Sequence, residues 1–201
     1  MKFQWYAIKL SILCIAIFIL QTPQITDDFV LVSADVLLRP WILLTSIFLH
    51  GSAEHLLSNI FALALFGSIL EKIIGGRKFL IIFFLSGIIA GVGAALFYKS
   101  VLGASGAIFG VMGCLAAIRP RMVVWVYGAP MPMVVAAGFW AMIDLLGTFS
   151  PTDVAHIAHL FGLAFGIVVG LAIRKNFLEQ REKKTRISDD EFNSWEKMHM
   201  S

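Results

Sequence analysis

The chain is short of charge. Of its 201 residues only 14% are Asp, Glu, Lys or Arg, while 59% are apolar, and the mean hydropathy is +0.85. A soluble domain of this length needs far more charge to cover its surface. A soluble protein with an unusually large core is also excluded, because the apolar residues come in long unbroken blocks. The two cysteines, Cys14 and Cys114, both fall inside such blocks. They are too few for a disulfide framework and count as small hydrophobes. No basic stripe interleaved with aromatics occurs outside the tail, which argues against a nucleic-acid partner. No His-Glu-x-x-His is present, and no carboxylate shares a helical face with the paired histidines. No metal or other cofactor is therefore expected, and a histidine-based metal or proton transporter is disfavoured. The first apolar block, Phe3–Leu20, lacks a small-x-small cleavage site after it. It reads as a retained span rather than a signal peptide.

What is present is the pattern of a polytopic, all-α membrane protein. The expected organisation is one membrane domain over residues 1–173 and a charged tail over 174–201. Spans are expected at Phe3–Leu20, His55–Glu71, Phe79–Tyr98, Ser105–Ile118, Met131–Leu146 and Val154–Ile173. Pro120, Gly128, Pro130 and Pro132 punctuate the chain before the fifth, which should start near Pro130. Residues 21–54 are too long for a turn and too apolar for a free loop, so a partly inserted segment with Trp41 at headgroup level is expected. With the N-terminus inside, all but Arg39 and Lys99 of the sixteen Lys and Arg residues fall on the inner side. That satisfies the positive-inside rule for six spans with both ends cytoplasmic, in the cell membrane. In the tail, Ser188-Asp189-Asp190-Glu191 has the form of a capping box before a short helix.

Polar residues inside this apolar frame need a reason. His50, His55 and Asn59 lie at the outer end of the second span, and His55 and Asn59 are one turn apart on one face. Ser105 heads the fourth span within Gly103-Ala104-Ser105-Gly106. His156 and His159 lie at the outer end of the sixth, followed by Gly162, Gly166 and Gly170. The topology puts all three groups on the same side. The fourth span, Ser105–Ile118, is only about 21 Å long against a hydrocarbon core of about 30 Å. Ser105 should therefore lie submerged, at the floor of a wet pocket reached by non-helical backbone over 99–104.

These are parts for acyl transfer. A serine hydroxyl becomes a nucleophile when a neutral histidine takes its proton. The oxyanion that follows needs donors, which His55, Asn59 and the N–H groups at the head of the fourth helix can supply. Gly106, Gly110, Gly162, Gly166 and Gly170 would let the fourth and sixth helices touch. Asp144 lies on a different helix and Asp153 is off the face of His159, so a Ser–His dyad is preferred to a triad.

Gly103-Ala104-Ser105-Gly106 resembles the G-x-S-G of the rhomboid intramembrane serine proteases. His50–His55–Asn59 is similar to that family's H-x4-H-x3-N, His159–Gly162–Gly166 to its H-x2-G-x3-G, and Gly67 with Glu71 to its G-x3-E. The resemblance covers about residues 40–173. It implies a six-helix rhomboid-like bundle in which Ser105 is the nucleophile and His159 the general base. It also implies that His55 and Asn59 serve the oxyanion and that Phe109 packs on His159. The glycine spacing selects His159 over His156, which would orient or line the pocket. Single-span membrane proteins would be the substrates, cut at small residues. Arg39-Pro40-Trp41 departs from the Trp-Arg of many members, so nothing is carried over there. A non-catalytic relative that binds membrane clients is the alternative, although such relatives lack the serine or the histidine.

Overall fold

Unbroken apolar sequence favours helices, which satisfy their own backbone groups where water is scarce. The computed structural model describes residues 3–200 apart from Tyr127, Pro151, Asp153 and 186–188, and over 176–191 the backbone alone. Lys2, Asp153 and Ser188, the head of the expected capping box, thus lie outside the described residues. Three helices, Ala53–Ile74, Gly76–Ala95 and His156–Lys175, are long and apolar enough to cross a membrane. Tyr6–Leu20, Ser105–Ile118 and Met133–Gly147 are shorter apolar helices.

In chain order, α1 is Tyr6–Leu20, α2 is Pro23–Phe29, β1 is Leu31–Val32 and α3 is Ile42–Thr45. The next helix is α4, Ala53–Ala62, a π turn over Leu63–Gly67 and α5, Ser68–Ile74. Then come α6, Gly76–Ala95, β2, Ser100–Val101, and α7, Ser105–Ile118. The strands β3, Val123–Val126, and β4, Ala129–Pro132, precede α8, Met133–Gly147, α9, His156–Thr185, and α10, Asp189–His199. The fifth apolar helix starts at Met133 rather than near Pro130, because 129–132 pair with 123–126 as a hairpin. Val-Val-Trp-Val suits a pleated strand, and Gly128 closes the turn at φ 82. The sixth continues beyond residue 173, to Thr185.

Helix α1 is held at its head by a residue from far along the chain. Buried Glu71 accepts hydrogen bonds from the N–H groups of Gln4 (3.1 Å, Oε1) and Ala7 (3.1 Å, Oε2). Those donors have no partner within the helix. The first loop is tied down through buried Leu31, Ile42 and Leu49, while its tip, Leu37, Leu38 and Trp41, is exposed. Its strand β1 pairs antiparallel with β2, Leu31 opposite Val101 and Val32 opposite Ser100. The Ser33 N–H donates to the Lys99 carbonyl at 3.0 Å and the Gly103 N–H to the Ser46 carbonyl at 2.9 Å. The irregular backbone leading to Ser105 is thereby satisfied by protein, the condition under which it can exist away from water.

The centre is α7, nearly all of it buried. It lies main chain to main chain on α9. A Cβ added at Gly162 would stand 2.0 Å from the Gly106 carbonyl oxygen, and one at Gly166 would stand 1.9 Å from that of Gly110. The paired positions advance in the same direction, so α7 and α9 run parallel, with α8 as the return path. Helix α6 covers the pair with small residues: Ser86 faces Gly110 and Ala90 faces Gly106. Below them Phe79, Phe83, Leu70 and Leu115 fill the interior.

Candidate active site

Ser105 is the first residue of α7, and no side chain caps that helix. The preceding turn depends on Gly103 at φ 117, a conformation that residues with a Cβ rarely adopt. The His55 ring also occupies the space a Cβ would need there, 2.7 Å from its Cε1. His55 is fixed from the other side: Ser52 caps α4 by accepting from the His55 N–H at 3.1 Å.

Ser105 Oγ lies 2.8 Å from His159 Nε2. The ring of Phe109, one turn below Ser105, stacks on the His159 imidazole with centroids 4.3 Å apart and planes within 8°. Behind His159 stands Asp144, brought in by α8. Its Oδ1 is 2.9 Å from His159 Nδ1 and 2.7 Å from His156 Nδ1. His156 Nε2 is 3.0 Å from Thr152 Oγ1, and the His156 ring packs against Gly147, where a Cβ would come within 2.5 Å. Asp144, His156 and His159 are all buried. A bare buried carboxylate would be costly, and the two imidazoles compensate it.

The other expected residues sit farther out. The Asn59 amide donates to the His55 carbonyl at 2.9 Å, one turn back on its own helix, leaving its second N–H for another partner. His50 is buried beneath the His55 ring, centroids 5.1 Å apart, with Nδ1 3.2 Å from the Phe48 carbonyl. Gln21 clamps its backbone, accepting from the His50 N–H and donating to the His50 carbonyl, both at 3.1 Å. Burial pushes the His50 imidazole down to about 4, with repulsion from His55 adding to it and the Phe48 carbonyl opposing. Gly106 and Gly162 act through the helix contact described above. His156 does not touch Ser105; it holds Asp144.

Asp144 lies on a different helix from His159, so a dyad is what the sequence favours; the packing of α8 on α9 brings this carboxylate to His159. An acid alone in the apolar run Met133–Gly147 was the available signal. Among the described residues, Asp144, His156 and His159 also form the group whose ligand atoms, all within 4.8 Å of one another, could hold a metal ion. Hydrogen bonds among the three already engage those atoms. A pocket opens beside Ser105, lined by Gly87, Ala90, Gly91, Ala94, Gly106 and Ala107 among others.

A family model described as the rhomboid domain matches residues 38–176. The Bacillus subtilis protein YdcA, which carries a rhomboid-protease name, is 33% identical over 67% of this chain and 68% of its own length. The rhomboid protease GlpG of Yersinia pseudotuberculosis is 27% identical over 84% of this chain and 63% of its own length. Rhomboid protein 1, mitochondrial, of Saccharomyces cerevisiae is 28% identical over 79% of this chain. The chain spans about half the length of that yeast relative, 49%.

Proposed function

The chain belongs to the rhomboid family of integral membrane proteins, and from that premise we propose that it is an intramembrane serine endopeptidase. The observation that carries the proposal is the 2.8 Å approach of Ser105 Oγ to His159 Nε2 across two helices locked by glycine. Ser105 attacks a peptide carbonyl while its proton passes to His159 Nε2. The oxyanion forms over the head of α7, where unsatisfied N–H groups and the positive end of the helix favour it. His55, held over Gly103, and the free N–H of Asn59 serve as further donors. His159 then protonates the departing amine, and water releases the acyl group by the same steps in reverse.

The pocket of small residues beside Ser105 suits a small side chain next to the scissile bond. Single-span membrane proteins are the proposed substrates, presented from the bilayer. In this reading the chain has six spans with both ends in the cytoplasm, Ser105 opens to the outer side of the cell membrane, and no cofactor is used. The domain covers 1–173 and the remainder is a cytoplasmic tail.

The test is cleavage of a co-expressed single-span substrate by native protein and by Ser105→Ala. The native chain should cleave it and react with a serine-directed phosphonate, whereas the variant should accumulate without doing either. Cleavage that persists in Ser105→Ala overturns the proposal. A folded native chain that neither cleaves nor reacts favours the non-catalytic, client-binding alternative.

A further inference from the structure

We propose that Asp144 is a positioning residue that acts through His159 Nδ1, held on station by His156 and Thr152. The inference rests on the Ser105–His159 reading above and extends it from two residues to a buried relay across α7, α9 and α8.

An ionised carboxylate only accepts hydrogen bonds. Asp144 Oδ1 is approached by two imidazole nitrogens, His159 Nδ1 at 2.9 Å and His156 Nδ1 at 2.7 Å. Each must therefore carry its proton. A neutral His159 with the proton on Nδ1 has a bare lone pair on Nε2, the atom 2.8 Å from Ser105 Oγ. That is the only neutral tautomer able to take the serine proton. The same logic runs outward: His156 Nε2 is bare and accepts from the Thr152 hydroxyl at 3.0 Å. Every proton in the chain Ser105–His159–Asp144–His156–Thr152 has one place to be.

The two rings meet nearly at right angles, 83°, so both edges converge on one oxygen. Gly147 leaves the His156 ring the space to do so. The Asp144 side chain is 5% exposed. Its charge is therefore little screened when His159 becomes an imidazolium. During attack the proton on Nδ1 stays there, the serine proton moves to Nε2, and Asp144 faces a cation without itself becoming protonated. The same Nε2 proton then leaves with the amine. The other titratable groups facing His159 are His156, one turn away on α9, and His55 from α4, and neither offers a negative charge. Asp144 is thus the one described carboxylate hydrogen-bonded to the base.

The experiment compares native protein with Asp144→Asn and Asp144→Glu, scoring kcat, KM and the phosphonate-labelling rate of Ser105 per monodisperse molecule. Asp144→Asn, whose amide can reverse the His159 tautomer, should lower kcat on the order of 10²-fold or more, with KM within about twofold because no substrate contact is lost. Asp144→Glu should recover at least tenfold of that loss. The native protein labelled with ¹⁵N-histidine gives a second readout that needs no folded Asp144 variant. His159 should show a protonated Nδ1 and a bare Nε2 in the resting state, assigned by the signal missing from His159→Gln. A kcat for Asp144→Asn within about threefold of native, or a resting His159 protonated on Nε2, overturns the inference. Cleavage persisting in Ser105→Ala would instead topple the reading beneath it.

Discussion

Phe109 lies flat on the His159 imidazole, centroids 4.3 Å apart and planes within 8°. Because both Ser105 and Phe109 belong to α7, the helix that carries the proposed nucleophile also fixes the plane of the proposed base. Ring stacking of this kind contributes about 0.5–1.5 kcal/mol beyond buried area, which is small for stability and large for orientation. Phe109→Leu keeps an apolar side chain but loses the flat face. We expect it to lower the Ser105 labelling rate by about tenfold with a shift in Tm of only a few degrees, while Phe109→Tyr retains most of the rate. Equal losses of rate and folded protein in both variants would contradict this.

The contact of α7 with α9 has no room for a methyl group. Gly166→Ala would put a Cβ 1.9 Å from the Gly110 carbonyl oxygen, and backbone cannot yield as a flexible side chain does. The helices must separate, at a cost of about 3 kcal/mol or more, and the Ser105–His159 hydrogen bond should open with them. Labelling and thermal unfolding in micelles should both fall. Gly138→Ala on α8, where nothing lies within 4 Å, is the matched control. It should be neutral or stabilising by up to about 1 kcal/mol.

Glu71 ties α1 to the far end of the long helix Ala53–Ile74. Glu71→Ala strands two N–H donors, those of Gln4 and Ala7, and should cost about 3 kcal/mol. Glu71→Gln keeps one accepting oxygen but turns an NH₂ toward the other donor, so an intermediate loss is expected. Limited proteolysis of the first helix in intact protein reads out both. A Gln variant less stable than Ala would show that this carboxylate does something else.

His50 gives the fold an acid limit. Its native imidazole titrates at about 4 because burial opposes the charge, while an unfolded histidine titrates near 6.5. The unfolded state thus takes up the proton first. The His50 contribution is intact above about pH 6.5 and is lost as pH falls from there toward 4, by about 3 kcal/mol in total. Unfolding followed between pH 7 and 4 should show this slope, and His50→Gln should flatten it. A slope unchanged in the variant assigns the effect to other groups.

Much of the architecture is legible because lipid imposes a simple rule on sequence: blocks of apolar residues become helices. The helix Ser105–Ile118 begins and ends where its sequence predicts, since glycine turns it on and Arg119-Pro120 turns it off. The small-residue spacing likewise told which helices could touch. What sequence could not disclose was lateral arrangement. Asp144 reaches His159 only because α8 packs on α9, and helical periodicity within one segment says nothing about which helix stands next to it. The 123–132 hairpin is illegible for a different reason: Val123-Val124-Trp125-Val126 has strand propensity, but Pro130 and Pro132 suit a helix start equally well, and only the pairing places them in a strand.

The contact between α7 and α9 is made of glycine backbone. Where side chains set the spacing of two helices, each substitution nearby nudges that spacing, and a reaction needing tenths of an ångström is exposed to every change. Here the gap is set by peptide groups resting on each other, at Gly106 against Gly162 and Gly110 against Gly166. Peptide groups have the same dimensions in every sequence. As long as those four glycines are kept, the ruler that fixes the serine-to-histidine distance does not change with the side chains around it, and the lipid-facing surface is free to drift.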